Sequence, residues 1–296
     1  MVETTSAPIV SIPDAKLSQR AMGSLGKLPP FSPILNKLLA SLAGEDVSFS
    51  KLGDLIEKDT VVAGNIIHLV NSALYARRAT ITSVRHALAL LGMDKVRNTL
   101  LGMSISRMWS QVKTPPTWSM ARFNRHSAAV AILSDQIASR TRTEYPEGAF
   151  VGGLLHDLGR LLIALGLPDE FSHLVKLHEQ SGRSWTECEL ELLGFTHAEL
   201  SAEALEKWKF PVEVQAAVRD HHRPPAFAAG AVLPLGAVLN AADQYVNSAG
   251  ESIVAAKLVA AEDAGPIAAL GIPEEKIAPL LADFKAEHAA MAAFFK

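Results

Sequence analysis

The chain has a single cysteine, Cys188, among 296 residues, so no internal disulfide can hold the fold. It has no excess of either charge: 28 Lys and Arg stand against 31 Asp and Glu, a formal net of -3. That balance gives no general attraction for a nucleic-acid backbone or an anionic lipid surface. No uncharged apolar run approaches the roughly 20 residues that span a bilayer. The opening stretch MVETTSAPIVSIPDAKL lacks the basic start and apolar centre of a secretory signal. These absences predict a cytoplasmic protein without a membrane or nucleic-acid partner. Strand-length alternation is scarce and Asn-Gly turns are missing, which argues against a sheet-built domain. A P-loop, a dinucleotide fingerprint, a nucleophile elbow and a Ser-His-Asp order are absent too. Cys188, between Glu187 and Glu189, reads as structural or incidental.

What the chain does have is apolar residues at helical spacing, within a composition that is 49% hydrophobic and ample for a buried core. The first 20 or so residues form a tail or a short leading helix. Ser32 and Pro33 open a helix burying Ile34, Leu35, Leu38 and Leu42, with Gly44 as its stop. Ser48 or Ser50, then Asp59, then Ser83 cap the next helices; Gly92 ends one, and Asp94 is expected to cap its successor. The two helices around Gly92 read as ordinary packing, because the second carries only Lys95, Arg97 and Arg107 for a DNA backbone. Pro115-Pro116 marks a subdomain boundary. Beyond it helices are expected near 118–141, 147–165, 168–181, 184–193, 197–208 and 211–221. Arg223-Pro224-Pro225 is a second break, and Pro234 opens a helix running past Asp243. Two or three alanine-rich helices follow. The fold class is all-α.

The second half carries the chemistry. His126, His156-Asp157, His197, His221-His222 and Asp243 supply enough imidazole and carboxylate for a two-metal site. Neutral imidazoles suit first-row transition metals and a carboxylate can bridge two ions, which points to iron, manganese or zinc before calcium. His156-Asp157 lies inside a strongly apolar helical run, and Asp243 in an alanine-rich stretch where a charge needs a partner. His68, His86, His173, His178 and His288 lack ligands in register and read as surface or capping residues. Trp109, Trp118, Trp185 and Trp208 read as core or interface aromatics.

In this order, His126, His156-Asp157, His197, His221-His222 and Asp243 resemble the HD superfamily of metal-dependent phosphohydrolases, in its dinuclear HD-GYP branch. Leu28-Pro29-Pro30, Asp59, Val70-Asn71-Ser72-Ala73-Leu74-Tyr75, Ile81, Ala87, Leu91-Gly92 and Trp208-Lys209-Phe210-Pro211 resemble the HDOD domain, an HD-related signalling module of bacteria. The resemblance runs from about residue 21 to 245. It implies an HD-type helical bundle (118–245) with an added N-terminal helical subdomain (21–112); outside it the sequence pattern leaves a flexible tail over 1–20 and C-terminal helices over 246–296. It also implies a regulatory role exerted on signalling proteins, with one or two divalent ions (Fe, Mn or Zn) held by the seven residues above.

Two positions depart from the HD-GYP phosphodiesterases. Arg160 stands where they carry lysine, and Arg223-Pro224-Pro225 where they carry Gly-Tyr-Pro, so the signature of cyclic-di-GMP hydrolysis is missing. The rival reading is an active phosphohydrolase on a phosphoester ligand. In it Asp157 would bridge two ions that activate water, and Arg160 would neutralise a non-bridging oxygen.

Overall fold

The computed structural model describes residues 15–42, 49–72, 74–75, 80–254, 262–291 and 294. Helices α1 (Ala15–Gly23), α2 (Pro33–Leu42), α3 (Phe49–Lys58), α4 (Thr60–Val70), α5 (Val84–Leu91) and α6 (Met93–Trp109) build the N-terminal part. Next come α7 (Met120–Ala138), α8 (Ala149–Leu155), α9 (Leu158–Gly166), α10 (Pro168–Ser181), α11 (Trp185–Leu192), α12 (His197–Lys207), α13 (Val212–Asp220) and α14 (Leu235–Ser248). The short α15 (Gly265–Ala268) and long α16 (Glu274–Met291) close the chain. Among the described residues there is no strand, only an isolated bridge between Thr143 and Leu233. The fold is all-α.

Capping side chains set many of the starts. Ser32, Asp59, Ser83, Ser119, Ser184 and Thr196 each precede a helix and accept a hydrogen bond from a backbone N–H of its first turn, satisfying a donor that the helix itself cannot. Ser184 with Glu187 and Thr196 with Glu199 complete reciprocal capping boxes. Gly92, at φ 80°, serves both as the end of α5 and as the residue before α6. Asp94 therefore sits inside the first turn of α6 rather than capping it, within 3.3 Å of Arg97. Gly44 and Ser48 lie outside the described residues, as does the side chain of Ser50.

Residues 15–20, read as part of a tail or of a short leading helix, belong to α1, which packs on α9. Ala21 and Met22 are buried there, and the Ser24 hydroxyl donates to the Leu162 carbonyl at 2.9 Å. Gly166 allows this approach: a Cβ on it would lie 2.7 Å from the Ala21 Cα.

The core is centred on α7 and α8. Every residue of α8 is buried, and burying each leucine-sized side chain is worth roughly 1.5–3 kcal/mol. Pro146–Gly166 is long and apolar enough to cross a membrane, with a mean hydropathy of 1.4, but its apolar window is buried throughout; it is the inside of the bundle. α16 packs against α7, and its Ile277, Leu280 and Phe284 are buried. Its buried Glu287 pairs with Lys95 and accepts from the Gln136 amide at 3.0 Å. The C-terminal helix thus completes the body.

The expected helix over 147–165 is not continuous. A 3₁₀ turn covers Pro146–Gly148, α8 ends at Leu155, and α9 begins at Leu158. Asp157 lies between them at φ -100°, ψ 13°, in the bridge region where active-site residues often sit. Two close approaches fix the break. A Cβ on Gly153 would lie 2.7 Å from the Ala131 Cα, and one on Gly159 only 2.1 Å from the His197 carbonyl oxygen. Gly159 also donates its N–H to Ser201 Oγ at 2.7 Å.

Candidate metal centre

The break is what lets adjacent ligands share a site. In a continuous helix neighbouring side chains diverge by about 100°, whereas here His156 Nε2 lies 3.4 Å from Asp157 Oδ2. Mid-helix positions on α7 and α14 bring in His126 and Asp243. His197 is the first residue of α12, and His221 and His222 follow the end of α13. All seven residues expected from the sequence converge. Six are buried, from 0% to 4% exposed, and His222 is half-buried.

The orientation of the rings is set from behind. His126 Nδ1 lies 2.8 Å from the Glu251 carbonyl, His156 Nδ1 2.7 Å from that of Gly153, and His221 Nδ1 2.6 Å from that of Val218. His197 Nδ1 lies 2.7 Å from a carboxylate oxygen of Glu189. A carbonyl or carboxylate can only accept, so each Nδ1 is the donor and each neutral ring presents its Nε2 lone pair to the centre. Those lone pairs crowd: Nε2 of His126 and His156 are 3.3 Å apart, and Nε2 of His197 and His222 are 2.9 Å apart. Such contacts repel unless a proton or a cation lies between them.

The carboxylates divide the cluster. Asp157 Oδ2 faces His126 at 3.5 Å and His156 at 3.4 Å, and Asp243 Oδ1 faces the same rings at 3.2 and 3.7 Å. Asp157 Oδ1 faces His197 at 3.0 Å. Four tetrahedral ligand atoms about 2.1 Å from one ion lie roughly 3.4 Å from one another, and the contacts of His126 and His156 with each other, with Asp157 and with Asp243 fall near that spacing. Asp157, His197, His221 and His222 form the second group, whose possible ligand atoms all lie within 4.8 Å of one another; His221 lies equally within 4.8 Å of His156 and Asp243, so the two groups adjoin. The Asp157 contacts are close but off-axis: neither oxygen receives an aligned hydrogen bond, and His221 Nε2 has no partner either. Buried acceptors left this way are costly, and a cation among them would satisfy them. The residues fit a metal pair.

The charges agree. Burial alone would raise the Asp157 carboxyl, but Arg160, His156 and His197 hold it well below the usual carboxylate range. Asp243 is likewise brought down, against burial, by His126 and His156. Burial opposes a proton on His126, yet Asp157 and Asp243 push it up to about 9. His197 is raised against burial by Glu189. Burial and the neighbouring rings drive His221 well down, and burial with His197 takes His222 to about 3. His126 is thus the ring that takes a proton when no metal is bound.

Arg160 closes one edge. Its side chain is 11% exposed, its Nε lies 3.1 Å from Asp157 Oδ1, and its guanidinium carbon sits 5.2 Å from the centre of the Trp185 ring. Trp185, expected as an ordinary core aromatic, is therefore part of the rim. Glu189 is the functional side chain that the histidine pattern did not reveal. A signal existed: Trp185, Cys188 and Glu189 fall at the i, i+3, i+4 spacing of an inward stripe, where a carboxylate needs a partner. His178 stacks near Trp185 and His288 on Phe284, away from the ligands. Cys188 is buried. A cavity of about 600 Å³ lies elsewhere, lined by Pro29, Pro30, Asp59, Asn65 and Arg107 among others.

The family model for the HDOD domain matches residues 28–224. The chain belongs to the HDOD domain family. Two solved structures share the HDOD fold of this chain. A protein of Marinobacter aquaeolei VT8, named for a proposed role in signal transduction, is 21% identical, with a TM-score of 0.68 over 97% of this chain and 67% of that one. A Shewanella amazonensis SB2B protein, named for a proposed phosphohydrolase activity, is 23% identical, with a TM-score of 0.71 over 94% and 98% of the two chains. An uncharacterized protein of Treponema pallidum (strain Nichols) is 20% identical over 221 residues, 71% of this chain. The match spans 40% of that relative's length.

Proposed function

We propose that this HDOD protein is a cytoplasmic signalling module whose HD-like half (118–245) holds two divalent transition-metal ions, iron, manganese or zinc, and which acts through contacts with other proteins. The observation that carries the metal reading is the set of four buried imidazoles fixed through Nδ1, with Nε2 turned on Asp157 and Asp243. His126, His156, Asp157 and Asp243 would hold one ion, and Asp157, His197, His221 and His222 the other. A role through contacts is supported by the burial of the ligands, since a phosphoester would have to pass the half-buried His222 and Arg160 to reach them. The N-terminal subdomain (21–112) and the C-terminal helices (246–296) would then supply the contact surfaces.

A second reading, a metal-dependent phosphohydrolase, is favoured by the complete ligand set and by Arg160 at the rim. Bound metal would supply a Lewis acid and an activated water. Arg160 would take a phosphoryl oxygen with the nitrogens of its fork not facing Asp157.

Metal analysis of protein purified without chelator tests the first claim: near two ions per chain, falling in His156→Ala and Asp157→Ala. Unchanged metal content in both variants would remove the ligand assignment. Loaded protein is then offered bis-p-nitrophenyl phosphate and a set of nucleotides. Turnover that disappears in Asp157→Ala would replace the contact reading with the enzymatic one.

A further inference from the structure

The two halves of the centre are not alike in charge. The first has a carboxylate of its own, Asp243, whose Oδ1 reaches both His126 and His156. In the second, Asp157 Oδ1 is the carboxylate oxygen in direct contact, Asp243 coming within 4.8 Å of His221, and Asp157 Oδ1 is shared with a cation, since Arg160 Nε lies 3.1 Å away while His197 Nε2 lies at 3.0 Å. A divalent ion placed there would meet three neutral rings, half of a shared carboxylate and a guanidinium. By direct contacts alone the second position is poor.

Glu189 corrects the balance from behind His197. It is 1% exposed and lies on α11, the helix before α12. Its Oε2 accepts from the His197 backbone N–H at 2.9 Å and from the ring Nδ1–H at 2.7 Å, while Oε1 lies 2.8 Å from Nδ1. The same carboxylate therefore fixes where α12 starts, which way the ring faces and which nitrogen carries the proton. Three of the other four rings, those of His126, His156 and His221, are backed by neutral backbone carbonyls. A carboxylate behind a ligating imidazole increases its donor strength and adds negative charge one bond network away from the ion.

We infer that Glu189 is the positioning residue of the second metal position: it orients His197 and offsets Arg160, so that this half holds an ion at all, while the first half does not depend on it. The inference rests on the two-ion reading above and assigns each half its own carboxylate, Asp243 by contact and Glu189 through His197.

The test is equilibrium dialysis of chelator-stripped full-length protein against graded Mn(II) or Zn(II), with bound ions counted by mass spectrometry and folding followed by thermal melts. Wild type takes up two ions. In Glu189→Gln, which keeps the size but removes the charge, one ion binds as before and the other 10- to 100-fold more weakly. Asp243→Asn weakens the opposite ion. The double variant Glu189→Gln with Arg160→Gln recovers most of the lost affinity, a rescue that a purely structural role for Glu189 would not give. Glu189→Asp, which keeps the charge at longer reach, falls between wild type and Glu189→Gln and serves if the latter does not fold. The inference is overturned if Glu189→Gln binds both ions as wild type does, if it loses both together, or if removing Arg160 restores nothing. A wild-type protein that takes up fewer than two ions would instead strike the two-ion reading itself.

Discussion

Replacing Gly159 by alanine should disable half of the metal centre without replacing a ligand. The added Cβ would stand 2.1 Å from the His197 carbonyl oxygen and 2.9 Å from its Cα, both backbone atoms that no rotamer can move aside. Restoring an ordinary contact of about 3.4 Å requires α9 and α12 to separate by more than 1 Å. Overpacking of this kind costs typically 1–3 kcal/mol, and the separation also strains the hydrogen bond from the Gly159 N–H to Ser201 Oγ, worth about 1 kcal/mol. The gain in helix propensity from glycine to alanine, about 1 kcal/mol, works the other way. The net expectation is a loss of roughly 1–3 kcal/mol in urea unfolding. The same displacement carries Asp157 Oδ1 away from His197 Nε2, now 3.0 Å apart, and metal–ligand distances tolerate only about 0.2 Å. One of two bound ions should therefore weaken at least tenfold. Gly152 is the control. Its Cβ would meet only the flexible end of Leu239, at 3.3 Å, so Gly152→Ala should stay within about 1 kcal/mol of wild type and bind both ions normally. If Gly159→Ala matched wild type in stability and metal content, the account of how the break between α8 and α9 is held would be wrong.

Stripping metal with a chelator should lower the melting temperature, because an ion bound only by the folded chain adds about 2.7 kcal/mol at a free concentration one hundred times its Kd; equal melting curves with and without chelator would contradict this. Metal affinity should fall as pH falls below 9. His126, raised to about 9 by Asp157 and Asp243 against the effect of burial, then holds a proton that the ion must displace, at a cost of about tenfold per pH unit for each proton released. Isothermal titration in two buffers of different ionisation enthalpy measures that release, and none at pH 7 would refute it. Asp59→Ala should cost about 1 kcal/mol, since the carboxylate accepts from Val61 N and Val62 N at 3.1 Å. Metal uptake should not change, and a shift in metal content would mean that the N-terminal helices shape the centre.

The helices were legible wherever local chemistry decides them. Ser32, Asp59 and Ser83 announce their helices, and the proline pairs at 115–116 and 224–225 fall in connections, because capping and φ restriction act over three or four residues. The ligand set was legible for a different reason: histidines and aspartates placed among alanines and leucines have no other way to be tolerated inside. What escaped depends on contacts between distant segments. The run Ala149–Gly166 reads as one helix by its apolar content, and nothing local interrupts it. The break at His156-Asp157 is made by α7 and α12 pressing on Gly153 and Gly159, partners more than twenty residues away. Glu189 lies between these cases. Its place on the inward stripe of α11 was visible in the sequence, but its meaning needed the start of α12 to be set beside it. Read alone, Glu187-Cys188-Glu189 looks like one charged patch. Folded, Glu187 caps its own helix at the surface while Glu189 turns inward to His197. Two residues of rotation, about 200°, separate a solvated cap from a carboxylate placed behind a metal ligand. An acidic residue in a helix is therefore best assigned by the stripe it falls on, and only then by its neighbours in the chain.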